Sequence, residues 1–109
     1  MYGITNGVAT ERVGAEQIAY ISLAGTVNMA GGQPISMENL RAVYQLASTN
    51  RIKVVFDATR AMENAFFIKK REPGCADRDV RSIAREMFSL CDGALMSAKK
   101  DAFGNIGGF

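Results

Sequence analysis

Short apolar runs alternate with an amphipathic stretch along this chain, and that alternation constrains the fold more than any other feature. Residues 17–24 (QIAYISLA) and 52–56 (IKVVF) are short and mostly apolar, as is typical of strands buried on both faces. Between them, residues 36–48 carry apolar side chains at intervals of three or four, which predicts a helix with Ser36 as its N-cap. Strand, helix and strand in this order predict an α/β fold built on a parallel sheet with flanking helices.

Two more helices and a third strand are predicted after residue 57. One helix covers residues 62–71 and ends before Pro73-Gly74, which interrupts helical hydrogen bonding. The next helix begins at about Asp79, and its apolar residues again repeat at helical spacing. Residues 94–97 form a candidate third strand, and a further strand is predicted to begin at residues 107–109. The sheet is therefore expected to contain at least three strands.

Composition and charge fit one ordinary globular domain. The chain has 109 residues, of which 48% are hydrophobic and 22% charged, with a net charge of +2. This nearly equal number of positive and negative charges provides no concentrated cationic face, which nucleic-acid binding requires. The apolar runs are too short to span a bilayer. With no recognisable secretory signal, we expect a cytoplasmic protein without nucleic-acid or membrane partners. Residues 1–16 are expected to be an irregular lead-in, and the folded part is expected to span 17–109.

Histidine, cysteine and glycine usage excludes several kinds of site. The chain contains no histidine, which excludes His-ligated metal sites and His-based acid–base relays. Its two cysteines, Cys75 and Cys91, do not have metal-pair spacing, so both are expected to be reduced thiols, with Cys91 buried. Neither G-x-G-x-x-G nor G-x-x-x-x-G-K-[ST] occurs, so the two common nucleotide-binding motifs are missing from the sequence.

Polar residues follow the predicted strands at the points where each strand ends. In open parallel sheets, ligands bind beyond the carboxyl ends of the strands, so these side chains are the first candidates for a site. They are Asn28, Asp57, Thr59, Arg60, Ser97, Lys99 and Lys100.

Three of these residues, Asp57, Lys100 and Ser97, each have more than one interpretation. Asp57 can cap a helix or pair with Arg60, or it can bind a cationic ligand group such as a protonated pyridine nitrogen. Lys100 can be a solvated surface lysine, or it can form a Schiff base if burial or a neighbouring cation such as Lys99 lowers its pKa. Ser97 offers a hydroxyl to a phosphate, although S-x-x-K also occurs in enzymes with a serine nucleophile, whose further motifs are missing here.

Four blocks of this sequence, in this order, resemble the pyridoxal-phosphate β-eliminating lyases, which comprise the tyrosine phenol-lyases and the tryptophanases. The blocks are residues 26–36 (TVNMAGGQPIS), 56–60 (FDATR), 63–69 (ENAFFIK) and 96–101 (MSAKKD). The resemblance extends from about Gly14 to the last residue. It implies the aspartate-aminotransferase-type fold, with this chain as the central part of the cofactor-binding large domain.

The resemblance implies a role for each residue that matches a family motif. Lys100 would be the catalytic lysine that forms a Schiff base with the cofactor, pyridoxal 5′-phosphate, and later shuttles the α-proton of the substrate. Asp57 would pair with the pyridinium nitrogen, which keeps the ring an electron sink. Asn28 and Arg60 would lie beside the 3′-oxygen of the cofactor.

Further ligands and partners follow from the same resemblance. Ser97 and Lys99 would contribute to the phosphate site, and the backbone carbonyl of Asn105 would help to bind a monovalent cation, K⁺. The substrate would be an aromatic L-amino acid, cleaved to the free aromatic compound, pyruvate and ammonium. The family's homotetramers imply that the protein is a homo-oligomer.

Sequence features favour one branch of the family without excluding other functions. The segments DATR, TVN and NIGG favour the tyrosine phenol-lyase branch, whereas MSAKKDA favours tryptophanase, and we expect the former. The alternative from another class is a non-catalytic α/β fragment or assembly piece, because the chain lacks the second domain and several other parts of the family's active site. A third interpretation is an unrelated α/β module that binds a phosphate-bearing ligand.

Overall fold

The computed structural model describes residues 14–27 and 30–109, and its helices and strands follow the predicted alternation. Short 3-10 helices lie at Ala15–Gln17 and Pro73–Cys75. In chain order the other elements are β1 (Tyr20–Ala24), α1 (Met37–Thr49), β2 (Lys53–Asp57), α2 (Ala61–Arg71), α3 (Val80–Ser89) and β3 (Gly93–Leu95).

The three strands form one parallel sheet in the order β1-β2-β3. Asp57, the last residue of β2, is level with Ala24 at the end of β1 and with Leu95 at the end of β3. The carboxyl ends of the three strands therefore meet at one edge of the sheet. This confirms the predicted α/β class with a parallel sheet and three helices.

The helices begin and end where local chemistry predicts. Ser36 Oγ accepts a hydrogen bond from Asn39 N–H at 3.1 Å, so it caps α1 as expected. Asp79 Oδ1 accepts from Ser82 N–H at 3.0 Å and caps α3 in the same way. The apolar stripes of α1 and α3 then enter one core with the inward side chains of β1 and β2. The largest fully buried side chains of that core are Phe56, Met37, Leu40, Ile68, Ile83, Met87 and Val54.

Strand β1 is buried on one face only, so the prediction of burial on both faces is wrong. Ile21 and Leu23 are buried, whereas Tyr20 and Ser22 are exposed. Within the described residues, packed side chains cover one face of this strand and leave the other open. The strand is also shorter than predicted, since Ala15–Gln17 forms a 3-10 helix before it.

Burial of Cys91 differs from the prediction. Both are free thiols, as expected, but Cys75 is buried and Cys91 only partly so. Cys75 lies in the 3-10 helix between α2 and α3 and belongs to the buried core, whereas Cys91, in the turn between α3 and β3, packs against the core but stays partly exposed. The physical difference is the position of each turn relative to the core.

The last residues of the chain pair with residues 96–97 in the antiparallel direction. Met96 and Phe109 exchange backbone hydrogen bonds at 2.7 and 3.0 Å, and Ser97 pairs with Gly108 in an antiparallel bridge. Residues 94–97 thus contain β3 up to Leu95 and then this bridge, rather than one continuous strand. Most of the predicted lead-in, residues 1–13, lies outside the described residues. None of the helices described is long and apolar enough to cross a membrane.

Candidate active site

Asp57 occupies the centre of the sheet's carboxyl edge, and its side chain is held by the turn that follows. Its Oδ1 accepts a hydrogen bond from Thr59 N–H at 3.1 Å, and the residue is partly buried. Arg60, at the N-cap of α2, has its Nε 3.7 Å from Glu63 Oε2. The hydrogen bond from Thr59 N–H orients the Asp57 carboxylate.

The segment after β3 lies directly against the turn after β2. Ser97 N–H donates to Thr59 Oγ1 at 3.1 Å, and Asp101 N–H donates to Thr59 O at 3.4 Å. One threonine therefore contacts both ends of residues 97–101, the segment that carries the two lysines. Lys100 is partly buried there, whereas Lys99 is exposed. The structure thus brings Asp57 and the lysine segment together at one edge.

Asp101 adds a contact between the lysine segment and α2. Its Oδ2 accepts from Glu63 N–H at 3.0 Å. Glu63 is the third residue of α2, and amides in the first turn of a helix have no partner within that helix. The carboxylate satisfies one of them and lies at the positive end of the helix dipole. Sequence reasoning assigned Asp101 no role, although the residue stands next to Lys100.

The loop after β1 is held to the site by Asn64 of α2. Asn64 is fully buried, and its Oδ1 accepts from Thr26 N–H at 3.3 Å and Ile35 N–H at 2.9 Å. Its Nδ2 donates to Ile35 O at 3.0 Å. Sequence reasoning missed this residue as well, although an asparagine among the inward positions of α2 was a visible signal. Asn28, predicted to be in the site, lies outside the described residues.

Close packing surrounds the start of the same loop. A Cβ on Gly25 would lie 2.8 Å from Phe56 Cζ, so a glycine is needed where β1 ends beside β2. Thr26 follows with a positive φ of 46° and is only 5% exposed. Its Oγ1 is buried and has no hydrogen-bond partner in the described part of the chain. A buried hydroxyl without a partner is uncommon, and this one lies where β1 ends, at the same edge as Asp57.

The residues at this edge have complementary chemistry. A carboxylate (Asp57), a guanidinium (Arg60), a hydroxyl (Ser97) and two amines follow strands whose ends are adjacent. Such a set can bind a ligand that has both a cationic and an anionic part, and a primary amine can condense with an aldehyde. Asn105 is exposed in a bend farther along the chain. Among the described residues, no three acidic or cysteine side chains are grouped so as to hold a metal ion.

Sequence comparison places this chain in a known class of enzymes. The family model for beta-eliminating lyases matches residues 6–109, and the chain belongs to that family. This confirms the family resemblance seen in the four sequence blocks.

Individual relatives carry a more specific name. A tyrosine phenol-lyase of Nostoc punctiforme is 63% identical over 99 residues, which cover 91% of this chain and 21% of that protein. A tyrosine phenol-lyase of Clostridium tetani is 60% identical over 99 residues, which cover 91% of this chain and 22% of that protein. The chain thus spans about a fifth of the length of the curated relatives that it matches.

Proposed function

We propose that this chain is part of a pyridoxal-phosphate-dependent lyase that cleaves an aromatic L-amino acid, tyrosine in preference to tryptophan, to the free aromatic compound, pyruvate and ammonium. The observation that carries the proposal is the contact between the lysine segment 97–101 and the turn after Asp57, made through Thr59. It brings a primary amine and an oriented carboxylate to the same sheet edge. Identity of 57–63% to proteins named tyrosine phenol-lyase supports the choice of substrate.

The residues at the sheet edge fit this cofactor by their chemistry. Pyridoxal phosphate has an aldehyde, a basic ring nitrogen, a phenolic oxygen and a phosphate, and when bound it supplies the electron sink for the reaction. Lys100 would bind at the aldehyde, and Asp57 would hold the proton on the ring nitrogen. Arg60 and Asn28 would donate to the phenolic oxygen, and Ser97 and Lys99 would hold the phosphate. The buried, unpartnered Thr26 Oγ1 is consistent with a polar group at this edge.

Lys100 and Asp57 divide the catalytic work in this proposal. Lys100 Nζ takes the proton from the α-carbon of the substrate, with its primary amine acting as the general base. Asp57 keeps a proton on the ring nitrogen by providing a fixed negative charge, which costs no reorganisation during the reaction. Its bond from Thr59 N–H orients the carboxylate before any ligand arrives.

Several finer features belong to the same proposal. Residues 17–109 would be the central part of a large domain of the aspartate-aminotransferase type, after a lead-in over 1–16. The carbonyl of Asn105 would help to bind K⁺, and the complete protein would be a homotetramer. Two free cysteines are consistent with a cytoplasmic location, because disulfides are rare there.

Cofactor uptake is the first test of the proposal. Pyridoxal phosphate is added to the chain, and the near-visible absorption band of the lysine-bound cofactor is recorded for the unsubstituted chain and for Lys100→Ala. We expect a band that Lys100→Ala removes and that Lys70→Ala, an exposed lysine of α2, retains. A band that survives Lys100→Ala would contradict the assignment of this lysine. No band at all would favour the non-catalytic fragment.

Substrate choice is tested in a chimera. Residues of this chain replace the matching fifth of the Nostoc punctiforme relative, and pyruvate release is measured with tyrosine and with tryptophan. Faster release from tyrosine is expected, and Lys100→Ala in the same chimera should abolish it. Because the rest of the chimera comes from the relative, the ratio of the two rates is compared with that of the unsubstituted relative. A ratio shifted toward tryptophan in the chimera would favour the tryptophanase alternative, to which the segment MSAKKDA points.

A further inference from the structure

We propose that Asp101 is a positioning residue that holds the backbone of Lys100 against α2 and the turn after β2. The inference rests on the proposed function, because it assigns Asp101 to the orientation of the cofactor-binding lysine. It names a residue that itself touches neither substrate nor cofactor.

The peptide unit that joins Lys100 to Asp101 is hydrogen-bonded on both sides. Its carbonyl, Lys100 O, accepts from Phe103 N–H at 2.9 Å, and its amide, Asp101 N–H, donates to Thr59 O at 3.4 Å. Both polar groups of one peptide unit are thus engaged, one within the local turn and one with the segment after β2. A peptide unit held at both ends has little freedom to rotate, and that rotation would redirect the Lys100 side chain.

The side chain of Asp101 connects this peptide to a third element. Its Oδ2 accepts from Glu63 N–H at 3.0 Å, in the first turn of α2. The bond links positions 38 residues apart, so it is a tertiary contact and not part of a local turn. Because Arg60 is the N-cap of α2, the carboxylate ties the lysine segment to the helix whose start carries another residue of the candidate site.

An aspartate suits this contact for two reasons. Its oxygen accepts from an amide that no helical carbonyl reaches, and its charge is favourable at the amino end of a helix. Asparagine retains the acceptor and loses the charge, whereas alanine loses both. The pair of variants Asp101→Asn and Asp101→Ala therefore separates the bond from the charge.

A second aspartate provides a matched control. Asp79 Oδ1 accepts from Ser82 N–H at 3.0 Å and caps α3, so Asp79→Ala also removes an aspartate–amide bond in the first turn of a helix. Asp79 lies outside the segments that carry the candidate site. Loss of stability alone should therefore affect Asp79→Ala and Asp101→Ala alike, whereas loss of positioning should affect only the latter.

The test has one readout without cofactor and one with it. In the 109-residue chain, backbone hydrogen exchange of residues 97–104 is measured by NMR. Asp101→Ala should speed exchange there at least tenfold, Asp101→Asn should not, and Asp79→Ala should act only near α3. In the chimera, the affinity for pyridoxal phosphate should fall about tenfold in Asp101→Ala, which corresponds to about 1.4 kcal/mol. In Asp101→Asn and Asp79→Ala the affinity should change by no more than about twofold.

Each outcome supports or overturns a definite statement. If the unsubstituted chimera takes up no cofactor, the proposed function fails, and the inference fails with it. If the chimera takes up cofactor but Asp101→Ala binds it as tightly, or Asp79→Ala loses as much, the inference alone is overturned. Unchanged exchange over 97–104 in Asp101→Ala overturns the inference whatever the cofactor does.

Discussion

Asn64 and Ile35 are joined by two hydrogen bonds that run in opposite directions. Asn64 Oδ1 accepts from Ile35 N–H at 2.9 Å, and Asn64 Nδ2 donates to Ile35 O at 3.0 Å. The same Oδ1 accepts from Thr26 N–H at 3.3 Å, so one fully buried side chain holds both ends of the loop that follows β1. This loop reaches the same sheet edge as Asp57 and the lysine segment.

Replacing Asn64 should therefore destabilise the fold. Asn64→Ala leaves two amides and one carbonyl without their partner, all of them buried or partly buried, and we expect the free energy of unfolding to fall by about 2–3 kcal/mol. Urea unfolding followed by circular dichroism measures this. Asn50→Ala is the control, because Asn50 Nδ2 makes one bond, to Leu46 O at the end of α1, and its loss should cost about 1 kcal/mol. Equal losses in the two variants would contradict the role assigned to Asn64.

Asp57→Asn should preserve the structure and impair the proposed chemistry. Asparagine can still accept from Thr59 N–H, but it no longer offers a negative charge to a cationic ring nitrogen. Hydrogen bonds to charged groups contribute about 1.5–3 kcal/mol, so turnover in the chimera should fall by roughly 10- to 100-fold. Pyruvate release measures the effect, with Asp77→Asn, an exposed carboxylate between α2 and α3, as the control. Unchanged turnover in Asp57→Asn would refute the role of this carboxylate.

Stability should decrease in acid because two aspartates are bonded in the folded state. The hydrogen bond from Lys53 Nζ (2.8 Å) and that from Val54 N–H (2.9 Å) lower the pKa of Asp92 below its ordinary value of 3.8. The backbone N–H of Ser82 lowers the pKa of Asp79 in the same way. A lowered folded-state pKa contributes stability that is complete above the unfolded pKa and is lost as the pH falls through the folded one.

Unfolding midpoints in urea, measured from pH 6 down to about pH 2.5, test this acid dependence. Asp92→Asn should flatten the decrease below about pH 4, because the variant has no carboxylate to protonate at that position. Glu16→Gln, a change at an exposed carboxylate, should leave the decrease as it is. An identical decrease in Asp92→Asn and in the unsubstituted chain would count against the pairing of Asp92 with Lys53.

The 109-residue chain should self-associate through apolar residues near β3. Phe103, Ile106 and Phe109 are 94%, 87% and 80% exposed, and Leu95 of β3 is half exposed. Exposed apolar patches and the edges of open sheets both favour association. Sedimentation velocity at increasing concentration should show oligomers, and Phe103→Ser with Ile106→Ser should shift them toward monomer. A monomer at all concentrations would contradict the prediction.

Local patterns predicted much of the fold because their physical causes lie within a few residues. Ser36 caps α1 through the amide three residues ahead, as predicted, and Asp79, predicted as the start of a helix, caps α3 in the same way. The apolar period of α1 and α3 likewise depends on neighbours one turn away. Residues 26–36, 56–60, 63–69 and 96–101 also predicted the family, since each block is contiguous.

The candidate site could be located only by combining local sequence patterns with tertiary contacts. Asp57 and the lysine pair were predicted at strand ends, because a parallel sheet brings such ends together. Asn64 and Asp101 were missed, because their partners lie 29 and 38 residues away in the chain. No local pattern indicates which distant amide a carboxylate or carboxamide will reach.

The sequence by itself determined the order of strands and helices, the Ser36 cap of α1 and membership of the beta-eliminating lyase family. Only the tertiary structure decided which face of β1 is covered, that Cys75 rather than Cys91 is buried, and how Asn64 and Asp101 join the loops of the sheet edge. The reason is that periodicity and capping depend on near neighbours, whereas burial and long-range hydrogen bonds depend on which elements pack together.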